Sequence, residues 1–261
     1  RRDFSMLAML FGIIGEYDLR SAEAERSAVV ADIARAQKAI GLLESAIAAL
    51  TGRTPRAVFA PDVARGLVGH FVGAVRGGSQ YRRASFLLDA AGQQVFPDWF
   101  SISERPHLPR ALASAPFDHE GVATRDRELV SAGVLLGYVL GTYSARKLGL
   151  RTTGNAGGTH NLLVHGRGRD FAGMLALMDR GLLVTELMGQ GVNGVTGDYS
   201  RGAAGFWVEN GVIVHPVHEV TVAGNLRDIY RQIAEVGSDV DARGGIRTGS
   251  ILVEQMTVAG A

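Results

Sequence analysis

Leu182 to Val214 reads LLVTELMGQGVNGVTGDYSRGAAGFWVENGVIV, and this stretch decides the fold. Leu182-Leu183-Val184 opens it as an apolar run short enough for a strand. Phe206-Trp207-Val208-Glu209 and Val212-Ile213-Val214 close it as two β-prone runs separated by Asn210-Gly211. Asn-Gly between such runs predicts a hairpin, because a type I′ turn requires positive φ at both central residues. The expected pairing sets Phe206–Glu209 against Val212–His215. Between strand and hairpin, Met188 to Gly202 reads as a loop. It holds Gly189, Gly191, Gly194, Gly197 and Gly202, with Asn193, Asp198, Ser200 and Arg201.

Gly189-Gln190-Gly191-Val192-Asn193-Gly194 spells the glycine fingerprint of dinucleotide-binding folds. That chemistry requires a helix immediately afterwards, whose N-terminus holds the pyrophosphate. Here Val195 to Gly202 leads into a hairpin, so a nucleotide site is rejected. Two readings of the loop stay open. It is a structural connection, or it is a backbone surface that a peptide approaches closely, since glycine removes the obstructing Cβ.

The totals narrow the function classes. The chain has 261 residues, a formal net charge of +1, 35 glycines and no cysteine. So small a charge provides no field that would draw the chain to nucleic acid or an anionic membrane. Without cysteine there is no disulfide, no thiolate nucleophile and no thiolate metal ligand. A cytoplasmic location fits that usage.

Outward from the deciding stretch, the pattern predicts an α+β fold. Its sheet is mixed or largely antiparallel, packed with a few helices and preceded by a long helix. Met6 to Ile14 is an apolar run too short for a membrane span. Ser21 to Leu50 carries Ile33, Ala36, Ile40, Leu43, Ile47 and Leu50 as one apolar helical stripe. The division expected is a helical segment over 1–52 and a larger domain over 53–261. Ala57–Ala60 reads as a strand and Val63–Val75 as a helix capped by Asp62. Gly66, Gly69 and Gly73 along that helix are expected to let another backbone pack closely. Tyr81–Asp89 and Asp98–Ile102 read as extended, Val134–Leu136 and Tyr138–Leu140 as strands, and Ser144–Leu148 as a helix. Arg169–Met178 is expected to be helical, with Phe171, Met174, Leu175 and Met178 inward. Val220–Val222, Ser250–Val253 and Met256–Val258 read as strands. The helix after Gly224 buries Leu226, Ile229, Tyr230 and Ile233.

Catalytic motifs do not complete. His119-Glu120 and His218-Glu219 each begin a helical zinc motif, but no second histidine follows one turn on. His215 and His218 sit in a strand, where their spacing turns them to opposite faces. His70 and His160 have no ligand pattern nearby. There is no nucleophile elbow, and Asp118-His119-Glu120-Gly121 reads as a solvated turn before it reads as a carboxylate pair.

VTELMGQGVNGVTGDYSRGAAGFWVENG, followed by HPVHEVTVAGNL, closely resembles the C-terminal half of the PmbA/TldE proteins. These belong to the TldD/TldE protease family and have been called modulators of DNA gyrase. The likeness covers roughly residues 55 to 261 and implies that this chain is the C-terminal portion of a longer protein. In the catalytic TldD-type subunit, His-Glu-x-x-x-His opens a helix and a later cysteine completes a zinc site. The corresponding stretch here is Pro61-Asp62-Val63-Ala64-Arg65-Gly66, without either histidine. The resemblance therefore implies the non-metal subunit of a heterodimeric metalloprotease. It would have no cofactor of its own, zinc in a TldD-like partner, and an extended peptide as substrate. A homodimeric peptide- or protein-binding regulator is the alternative. The residues expected to meet peptide or partner are Gly189, Gly191, Asn193, Gly197, Asp198, Ser200 and Arg201.

Overall fold

The computed structural model describes residues 55–259 together with Arg26, Ala28, Val29 and Asp32. The chain separates into two compact units, residues 1–53 and 54–261. The expected apolar run at 6–14 lies outside the described residues. So does nearly all of the long helix, of which the four described positions are helical.

The second unit begins with strand β1 (Arg56–Phe59) and helix α1 (Pro61–Val75). Ala60, not Asp62, is the cap residue of α1, and no side chain caps it. Pro61 explains the shift, since its fixed φ suits the first helical position and its missing N–H needs no partner there. A short helix α2 (Gly77–Tyr81) follows, and Tyr81–Asp89, expected to be extended, instead ends that helix and runs on through turns. Then come β2 (Ser101–Glu104), β3 (Arg127–Ser131), β4 (Val134–Leu135), α3 (Thr142–Leu148) and β5 (Leu162–His165). Tyr138–Leu140 contributes only a bridge between Val139 and Arg76. Helix α4 (Phe171–Met178) is capped by Asp170, whose carboxylate accepts from the Gly173 amide. Its Met174, Leu175 and Met178 are buried, while Phe171 is exposed. The chain continues through β6 (Gly181–Met188), β7 (Asp198–Glu209), β8 (Val212–Asn225), α5 (Leu226–Arg231) and β9 (Ile233–Val236). It ends in β10 (Ile246–Arg247), β11 (Ile251–Val253) and β12 (Thr257–Ala259).

These strands form a seven-stranded sheet, β12-β8-β7-β6-β1-β11-β9, and a five-stranded one, β10-β5-β2-β3-β4. Both are mixed: β1 runs parallel to β6, and β10 parallel to β5, among antiparallel neighbours. The α+β expectation holds. Strand alternation sends side chains to opposite faces. Ala57, Phe59, Leu182, Val184, Ile251 and Val253 join the main core with α1, whereas Val58, Leu183 and Leu252 pack with Met174 and Met178 of α4. At the centre of the main core Phe96 stacks on Phe100 at 4.3 Å and meets Phe71 edge-on at 5.0 Å. Each such ring contributes about 1.5–3 kcal/mol by burial.

The Asn210-Gly211 turn forms as expected, with φ of 52° and 73° and Glu209 opposite Val212. The strands on either side are longer than the sequence suggests. Residues 220–222 are part of β8 itself, not a separate strand. Among the described residues, no helix is long and apolar enough to cross a membrane.

Candidate functional site

Strand β7 starts at Asp198, so Asp198, Ser200 and Arg201 belong to the sheet and the loop shrinks to residues 189–197. No helix follows the glycine fingerprint, in agreement with rejecting a nucleotide site. The loop is held by its own polar groups. Asn193 Oδ1 accepts from the amides of Val195 and Thr196 at 2.9 and 3.2 Å. The Asn193 amide donates to the Asp198 carbonyl, and the Gly197 amide to the Asn193 carbonyl, both at 2.8 Å. Asp198 accepts from the Thr196 hydroxyl at 2.6 Å and from the Asn225 amide group at 3.3 Å. Asn193, Gly197 and Asp198 thus give the loop its shape. Gly191 does permit a close backbone approach, but from within the chain. Its carbonyl accepts from the Ser200 amide, and a Cβ there would collide with the Ser200 carbonyl oxygen.

Two members of the expected set border a cavity. Gly189 and Arg201 line a cavity of about 330 Å³ whose far wall is the Gly69-His70-Gly73 surface of α1. Ser200 faces elsewhere and is exposed. The Arg201 guanidinium donates only to the Leu187 and Met188 carbonyls, at 3.3 and 3.4 Å. It forms no ion pair with any described residue. His70 is held below the usual histidine value of 6.5, first by burial and then by the Arg201 charge. Its ring meets Tyr199 edge-on at 6.0 Å. Tyr199 is buried, and its hydroxyl has no hydrogen-bond partner among the described residues. Burial pushes that phenol up to about 12, against the opposing pull of Arg201.

His70 does not stand out by ligand spacing in the sequence. The available signal was its place beside Gly69 and Gly73 on one helical surface, at positions three and four apart. The expected close packing of Gly66, Gly69 and Gly73 is not found within the described residues. A Cβ on any of them would meet nothing within 4 Å.

The start of α1 carries different chemistry. Arg65 lies 3.3 Å from Asp241, which also binds Arg243 at 3.0 Å. Hydrogen bonds from Arg243 hold the Asp241 carboxyl down to about 2. Asp62 Oδ1 accepts from the Val63 amide. Two guanidiniums and a helix-opening proline do not fit a zinc ligand set, which needs neutral imidazoles or anions directed at one point. Among the described residues, no group of three or more His, Cys, Asp or Glu side chains is placed to hold a metal. His215 and His218 are exposed on β8. Asp118 is buried in a turn, accepting from the amides of Glu120, Val122 and Ala156. Burial pushes its carboxyl up, yet those amides outweigh it and the group lies below the usual value.

A mixed-sheet unit with this loop and helix is the C-terminal domain of a metallopeptidase family. The model of the PmbA/TldA metallopeptidase C-terminal domain matches residues 51–260, and the chain belongs to that family. The Metalloprotease PmbA of Escherichia coli O157:H7 is 57% identical over 203 residues, which is 78% of this chain and 45% of that relative. The chain therefore spans about half the length of the curated relatives it matches. Among solved structures, a protein of Bacteroides thetaiotaomicron proposed to modulate DNA gyrase superposes with a TM-score of 0.76 at 31% identity. That match covers 80% of this chain and 47% of the other. TldE of Thermococcus kodakarensis shares the fold, with a TM-score of 0.70 at 24% identity over 80% of this chain and 50% of its own.

Proposed function

We propose that this chain is part of the non-metal subunit of a TldD/TldE-type metallopeptidase and works in the cytoplasm. A TldD-like partner would hold zinc and hydrolyse the peptide. The carrying observation is the start of α1. Where the resemblance implies a zinc motif, Pro61 opens the helix and Arg65 and Arg243 share the Asp241 carboxylate. The Asp241 carboxylate at that point is already engaged by two guanidiniums, whereas the same helix one turn later borders a cavity. The role of this chain is then to enclose and orient an extended peptide. Its rigid sheet supports the loop at 189–197, and Asn193 and Asp198 fix the loop's shape before any ligand arrives. Such preorganisation lowers the ordering cost of binding.

The test is co-purification. The tagged chain should bring down a zinc-carrying relative, identified by mass spectrometry, and the pair should cleave an unfolded peptide. Recovery of the chain as a dimer of itself, with no such partner, would replace this reading with a homodimeric binding protein.

A further inference from the structure

Helix α1 carries three glycines on a surface that no described residue fills. Glycine within a helix costs about 1 kcal/mol relative to alanine, so the small residues need a use. Across the space that Gly69 and Gly73 leave stands Arg201, the one charged side chain among the described residues that line the cavity. Its fork of N–H donors is only partly occupied, by two long bonds to main-chain carbonyls. Beside it His70 hydrogen-bonds to no described group and is kept from becoming a second cation by burial and by Arg201. A cavity of about 330 Å³ is at the small end for ligand sites, which run about 300–1,000 Å³. It accommodates the end or one side chain of a peptide, not a folded partner.

We propose that this cavity binds a carboxylate of the peptide substrate, with Arg201 as its counter-charge and His70 as a neighbouring hydrogen-bonding group. The inference rests on the peptide-binding reading above. Guanidinium matches a carboxylate in a planar, two-bond geometry, and a single cation suits a singly charged group. The carboxylate comes from the peptide's C-terminus or from an acidic side chain.

Calorimetry on the chain without any zinc subunit separates the outcomes. The probes are N-acetylated pentaalanine with a free C-terminus, the same peptide amidated, and an amidated version with a central glutamate. The free acid should bind about tenfold more tightly than the amide. Tight binding of the glutamate peptide without that difference between acid and amide would assign the site to side-chain carboxylates, and would also support the proposal. Arg201→Gln should remove the difference. Gly69→Leu, which fills the cavity from the helix side, should abolish binding while melting at or above the wild-type temperature. Equal binding of all three peptides, no binding of any of the three, or a preference that survives Arg201→Gln would overturn the proposal. Because no partner is present, such a failure leaves co-purification with the zinc subunit as a separate question.

Discussion

His70 and Arg201 make the cavity sensitive to pH in a definite direction. His70 has its folded-state value below 6.5, so between the two values the unfolded chain binds a proton that the native protein refuses. Stability therefore falls as pH drops through 6.5 and stops falling below the folded-state value. Urea midpoints from about pH 7.5 to about pH 5 should show this loss, and His70→Gln should flatten it. Arg201→Gln should move the imidazole titration part of the way back towards 6.5, read by NMR, since burial is the larger cause. Gly191 carries a different constraint. Its sequence position, away from the expected strands, suggested a site for a ligand's backbone. The Ser200 carbonyl takes that place. Gly191→Ala is accordingly expected to cost about 1–3 kcal/mol of stability, visible as a lower melting temperature. The sequence contained Gly191 and Ser200 but nothing that placed them face to face, because only the register of β6, β7 and the loop does so.

Among the elements, the β7–β8 hairpin and helix α1 answer opposite questions about glycine. Gly211 has a φ of 73°, and a Cβ there would come within 2.9 Å of the Ala176 backbone in α4. Gly211→Val should destabilise by about 1–3 kcal/mol, and an unchanged melting temperature would contradict the turn. Gly66 has helical geometry and open space around its Cβ, so Gly66→Ala should stabilise by up to about 1 kcal/mol. The hairpin was legible because Asn-Gly dictates backbone angles locally. Asp62 does not cap the helix because Pro61 starts it two residues earlier than a cap at Asp62 allows. Residues 138–140 were misread as a strand for a further reason. An apolar run says that side chains are buried, not that the backbone pairs as a strand, and here only Val139 forms a bridge. Arg201 and Gly189 could be picked out by sequence, yet the cavity they border needed helix α1 opposite them. Their separation from residues 69–73 exceeds any local pattern.

At the scale of the whole molecule, two mixed sheets and the helices packed on them present a helix start rich in guanidinium and a cavity one turn further along the same helix. That arrangement suits the proposed division of labour in a two-chain peptidase: the chemistry belongs to a partner's metal, and this chain contributes shape and charge. The most direct measurement is peptide cleavage together with elemental analysis, on the dialysed chain alone and after mixing with a TldD-like subunit. The account predicts no stoichiometric zinc and no cleavage by the chain alone, with cleavage appearing in the mixture and zinc retained by the partner. A chain that keeps tightly bound zinc after dialysis and cleaves peptide unaided would contradict it.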